Sequence, residues 1–73
     1  MIYALNFSKK ALKELANIHD PFYSAIKQDI TNLTINPRPQ GYKKLKDRDG
    51  YRIRTGNYRI IYDIFDNELF IDI

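Results

Sequence analysis

Hydrophobic and polar residues alternate with a period of two from Tyr51 to Thr55 and again from Tyr58 to Tyr62, the pattern of strands buried on one face. Between them Gly56-Asn57 supplies the positive φ that a two-residue hairpin turn needs. With those two residues as the turn, Thr55 faces Tyr58, Arg54 faces Arg59, Ile53 faces Ile60, Arg52 faces Ile61 and Tyr51 faces Tyr62. One face is then Tyr51, Ile53, Thr55, Tyr58, Ile60 and Tyr62, and the other carries Arg52, Arg54 and Arg59. A second turn at Asp66-Asn67 leads into another strand, Glu68 to Ile73. In that register Ile64 faces Leu69, Tyr62 faces Ile71 and Ile60 faces Ile73, so the apolar face continues across three strands.

Upstream, weak alternation over Ile2 to Phe7 predicts a first strand with Tyr3, Leu5 and Phe7 on one side. Ser8 then offers an N-cap for a helix from Lys9 to about Asn17, its inner face formed by Leu12, Leu15, Ala16 and Ile18. Asp20-Pro21 is a start signal for a second helix, in which Phe22, Ile26, Ile30 and Leu33 keep helical spacing. Pro37 and Pro39 end it near Thr34 to Asn36, because proline cannot continue a helix and disfavours helical geometry in the residue before it. Asn36 to Gly50 reads as a loop with Tyr42 and Leu45 tucked inward and Lys43, Lys44 and Lys46 outside. The predicted architecture is α+β in the order β-α-α-β-β-β. Residues 1–73 form one domain, a mainly antiparallel sheet with a two-helix hairpin on one face and the arginines on the other.

Composition narrows the function classes. A chain of 73 residues is near the size at which a single core holds a fold unaided. With no cysteine there is no disulfide framework or thiolate metal site, and the reducing cytosol is the expected compartment. Lysines interrupt the apolar pattern near the N-terminus, and no apolar run approaches the ~20 residues of a membrane span, so a soluble, cytoplasmic protein is expected.

The net charge is +3, but its distribution matters more. Arg38, Lys43, Lys44, Lys46, Arg48, Arg52, Arg54 and Arg59 stand against only Asp47 and Asp49 in the middle of the chain. From Asp63 onward there are acidic residues and no basic one. This asymmetry points to a polyanion site, against the alternative of a solvated charged face. Arg54 directly opposite Arg59 is a like-charge cost that an anion would relieve.

Other chemistry is sparse. His19 has no partner at ligand spacing and reads as incidental, Gly41, Gly50 and Gly56 read as turn residues, and no metal or cofactor is implied. The Asp47/Asp49 pair, flanked by Lys46 and Arg48, reads as solvated loop. Guanidiniums, by contrast, bind phosphate oxygens bidentately and stay charged. Three on one face suit the stabilisation of charge developing on a phosphodiester cleaved through a 2'-hydroxyl. Arginine is a poor base, so proton transfer would fall to a neighbouring lysine such as Lys43, Lys44 or Lys46. Ile61, Phe65 and Phe70 share the arginine face, where the helices cannot cover them, and suit an amphipathic acidic segment.

These features together resemble a family. The β-α-α-β-β-β order, the segment Gly41-Tyr42-Lys43-Lys44-Leu45-Lys46, the run Gly50 to Tyr62 and the acidic strand after it are similar to the RelE toxins of bacterial and archaeal toxin–antitoxin pairs. The resemblance implies a ribosome-dependent endoribonuclease, an mRNA interferase that inhibits translation and is neutralised by a cognate antitoxin. It puts Arg52, Arg54 and Arg59 near the scissile phosphate as catalytic residues, with Lys43, Lys44, Lys46 and Arg48 as RNA-binding residues. Ribosome and mRNA would be partners, and a membrane would not. The related ParE toxins, which act on DNA gyrase, share the fold and the Tyr-Arg-Ile-Ile-Tyr strand, so a gyrase-trapping toxin is the alternative. A non-catalytic RNA- or antitoxin-binding remnant is a third. RelE toxins usually continue into a Gly-His-Arg type segment and a terminal tyrosine, whereas this sequence stops at Ile73, which implies weakened cleavage.

Overall fold

The computed structural model describes residues 2–73. Its elements run β1 (Ala4–Phe7), α1 (Lys9–Ala16), α2 (Phe22–Ile35), β2 (Lys43–Lys44), β3 (Tyr51–Thr55), β4 (Tyr58–Phe65) and β5 (Glu68–Asp72). The five strands form one sheet in the order β1-β5-β4-β3-β2. All neighbours are antiparallel except β1, which lies parallel to β5.

The hairpin forms as its alternation predicts. Tyr51 pairs with Tyr62, Arg52 with Ile61, Ile53 with Ile60, Arg54 with Arg59 and Thr55 with Tyr58. Gly56 adopts a φ of 60° at the turn, and Asp66 a φ of 54° at the next one. Acidic and amide side chains tolerate that left-handed region better than other non-glycine residues, which is why Asp66-Asn67 can turn the chain without glycine. On β5 the expected pairs Tyr62–Ile71 and Ile64–Leu69 are present. The expected Ile60–Ile73 pair is not, because β5 ends at Asp72.

The core is the inner sheet face closed by α2. Ile26, Ile30 and Leu33 pack on Ile53, Ile60, Tyr62, Leu69 and Ile71, all nearly inaccessible. Thr55 Oγ1 donates to Asp29 Oδ2 at 2.6 Å, tying α2 to β3. The start of α2 differs by one residue from the sequence expectation: Pro21 takes the cap position and Asp20 reaches past it. Asp20 Oδ1 accepts from the Ser24 hydroxyl at 2.6 Å and the Ser24 amide at 3.0 Å. Those bonds hold the Asp20 carboxyl below its ordinary pKa.

Several sequence expectations need correction. The first strand begins at Ala4, Ile2 being exposed, and Leu5 lies at the rim of the core. On α1 the buried position is Ala11, with Leu15 half-buried and Ile18 buried just past the helix end, while Leu12 is 54% exposed and Ala16 is also exposed. The helix is rotated so that Ala11, and not Leu12, is its buried position. Phe22 is 46% exposed and covers the hairpin turn against Tyr58, with ring centroids 5.9 Å apart. The segment 36–50 is not wholly loop, because Lys43–Lys44 adds a short edge strand to β3. Tyr42 is not tucked inward but 38% exposed, whereas Leu45 is half-buried beneath Gly50.

Candidate nucleic-acid interface

Register and alternation assign the outer sheet face residue by residue. Lys43 lies opposite Arg52, Arg52 opposite Ile61, and Ile61 opposite Asp72, which makes one row across four strands. Arg54 opposite Arg59 makes the next row, toward the Gly56 turn. In the other direction lie the rows Asp63–Phe70–Asn6 and Phe65–Glu68–Ala4. The outer face therefore runs from basic at the Gly56 end, through Ile61 and Phe70, to acidic at the Asp66 end.

The basic end carries its charge uncompensated. Among the described residues, one ion pair is formed, Arg48 Nη2 to Asp63 Oδ2 at 3.9 Å. Arg52, Arg54, Arg59 and Lys43 have no carboxylate at that distance. A hollow of about 380 Å³ is lined by Gly41, Lys43, Arg52, Ile53 and Arg54. Arg52 is half-buried while Arg54 and Arg59 are exposed, so the guanidiniums are held on a rigid strand pair yet open to a ligand. Backbone hydrogen bonds of β3 and β4 fix where these side chains start, which suits recognition of a phosphate by fork-shaped donors.

The other predicted binding residues do not all join this site. Lys43 does. Lys44 points to the helix side by alternation, opposite Tyr51. Lys46 is exposed in the bend after β2. Arg48 turns toward the acidic end through Asp63 and lines a second hollow of about 270 Å³ that includes Ile61 and Phe70. Among the described residues no group of three or more histidine, cysteine, aspartate or glutamate side chains is placed to hold a metal.

A cluster at the β2 edge was not visible in the sequence pattern. Arg38 Nη2 donates to the Tyr51 hydroxyl at 3.4 Å, and its guanidinium carbon lies 5.4 Å from the Tyr51 ring centroid. That hydroxyl raises the Arg38 pKa above its ordinary value. Tyr51 sits between Tyr42 and Tyr62, with centroid distances of 5.8 and 5.7 Å. The buried Tyr62 hydroxyl donates to the Pro37 carbonyl at 2.6 Å. The one hint in the sequence is a cation bracketed by Pro37 and Pro39, which stiffen the segment that delivers it.

With this geometry in view, four likenesses are informative. Residues 5–73 match the family model described as ParE toxin of type II toxin–antitoxin system, parDE. The chain is 27% identical to the mRNA interferase toxin RelE of Escherichia coli (strain K12), over 97% of this chain and 77% of that protein. Its fold superimposes on the toxin in the archaeal RelE–RelB complex from Pyrococcus horikoshii OT3 with a TM-score of 0.85, at 28% identity, covering 97% of this chain and 90% of that one. The intact E. coli RelBE toxin–antitoxin complex gives a TM-score of 0.82 at 27% identity, covering 94% and 89%.

Proposed function

The chain belongs to the ParE toxin family of type II toxin–antitoxin systems, its match spanning residues 5–73, and from that premise we propose that it is a cytoplasmic toxin that cleaves mRNA on the ribosome. The observation that carries this reading is the Arg54–Arg59 pairing, with Arg52 and Lys43 in the adjoining row and, among the described residues, no ion pair to any of the four. Likeness to a protein named an mRNA interferase supports the same substrate. The solved RelE–RelB and RelBE complexes support a cognate antitoxin as partner.

In this reading the 2'-oxygen attacks the adjacent phosphorus and the bond to the 5'-oxygen breaks, leaving a cyclic phosphate and a 5'-hydroxyl. One proton leaves the 2'-hydroxyl and one arrives at the departing oxygen. Arg52, Arg54 and Arg59 hold the phosphate and stabilise the added negative charge of the pentacoordinate transition state. They stay protonated throughout, so they act as electrostatic catalysts and not as bases. Lys43 is the amine that the fold places in the same hollow. Lys44 and Lys46 extend the positive field along the RNA.

Induced in a bacterial host, the chain should halt growth and translation, and the Arg52→Ala/Arg54→Ala/Arg59→Ala variant should not, while remaining folded. Arrest by the triple variant would refute the site. The name of the family itself favours a second reading, a gyrase-trapping toxin. DNA-damage signalling with translation intact would select it.

A further inference from the structure

Three tyrosines step outward from the core at the β2 edge of the sheet. Tyr62 is buried, Tyr51 is half-buried above it, and Tyr42 ends the series with 38% of its surface exposed. Arg38 braces the middle ring by a hydrogen bond and by lying over its face. Tyr42 is therefore an exposed ring on a supported base.

Its surroundings separate it from Phe22, Phe65 and Phe70, which are also exposed. Phe65 and Phe70 line a hollow with Asp49 and Asp63, and Phe65 lies opposite Glu68, a setting that repels phosphate. Phe22 is occupied in covering Tyr58 and the hairpin turn. Tyr42 has Lys43 and Lys44 next to it in the chain and Arg38 on the ring it stacks against. Gly41 and Lys43, the residues on either side of Tyr42, both line the hollow that contains Arg52 and Arg54. Proteins that hold single-stranded nucleic acid combine a positive track for the backbone with aromatic rings on which bases stack.

We propose that Tyr42 is a nucleobase-stacking residue that extends the arginine site around the β2 edge. A single-stranded RNA with one phosphate at Arg52 and Arg54 lays a neighbouring base on the Tyr42 ring and brings its next phosphate toward Arg38 and Lys44. The proposal rests on the RNA reading above, and it adds a contact to the base where that reading supplies only contacts to the backbone.

The test compares a short fluorescein-labelled single-stranded RNA with an abasic strand of equal length and charge, binding being followed by fluorescence anisotropy. Tyr42→Ala should weaken the intact RNA by about tenfold and leave the abasic strand unchanged. Tyr42→Phe, which keeps the ring, should bind both strands like the parent. Because base stacking adds no phosphate contact, the slope of affinity against salt should be the same for the parent and Tyr42→Ala. Equal weakening of both strands by Tyr42→Ala would show a structural role and overturn the proposal, as would no weakening of either. Loss of intact and abasic binding in Arg52→Ala/Arg54→Ala, with the intact-to-abasic ratio of Tyr42→Ala unchanged from the parent, would retain the phosphate site and reject the stacking residue. Failure of the parent to bind either strand would overturn the proposal, while the ribosome-dependent reading stands or falls on cleavage of ribosome-bound mRNA.

Discussion

Arg54 and Arg59 face each other across β3 and β4, and among the described residues neither forms an ion pair with a carboxylate, so the free protein holds a repulsion that binding of an anion relieves. Arg59→Gln should therefore raise the stability of the unliganded protein by about 0.2–1 kcal/mol in urea unfolding while weakening its affinity for RNA. A variant both less stable and weaker in binding would mean that Arg59 is chiefly a packing residue. Tyr62 gives a second prediction at the same scale. Burial pushes its phenol up to about 12, against about 10 in an unfolded chain. The native state thus holds that proton more tightly than the unfolded state. Its contribution is complete below pH about 10 and is lost as the pH rises toward 12. In Tyr62→Phe this loss is absent, so the advantage in Tm of the parent over the variant should shrink between those pH values. A difference independent of pH would contradict the assignment.

Among the elements, the β3–β4 hairpin was fully legible because three signals agree there: alternation broken only at Ile61, a Gly-Asn turn and aromatic or β-branched content. Every one of its five pairs forms as the pattern dictates. The rotation of α1 was not legible, since Leu12 and Ala11 both fit an apolar stripe and only the approach to the sheet decides between them. Strand β2 was hidden for a similar reason. Two lysines carry no alternation, and their pairing with Arg52 and Tyr51 depends on how Gly50 returns the chain. Leu45 N donates to Gly50 O at 3.0 Å to close that return. Gly50 itself has φ 128°, and a Cβ there would lie 2.7 Å from Asp63 Oδ1 and 3.3 Å from Tyr62 O. Gly50→Ala should therefore lower stability by roughly 1–3 kcal/mol and displace Lys43 from Arg52. Urea unfolding with an unchanged midpoint would show that the return bends without cost.

For the whole molecule, fold and charge act together. Helix α2 closes one sheet face and leaves the other free to carry ligand-directed groups. Lys43, Arg52, Arg54 and Arg59 become one end of that face, and Asp63 and Glu68 lie toward the other. The sequence pattern showed the Arg52, Arg54 and Arg59 part of the site because alternation alone puts them together. It could not show that Arg48 turns away to Asp63, or that Arg38 joins Tyr51 from 13 positions upstream, since both follow from loop paths. Membership of a toxin family and the unpaired guanidiniums of the basic face are the two observations on which the proposed function rests.

The most direct test is cleavage of an mRNA programmed on ribosomes in a reconstituted translation reaction, followed by primer extension. The chain should cut within the ribosome-bound codon, and Arg52→Ala/Arg54→Ala/Arg59→Ala should cut at least about a hundredfold more slowly with its fold intact. Cleavage by the triple variant at the parental rate, or none by the parent while it stalls DNA gyrase, would contradict the account.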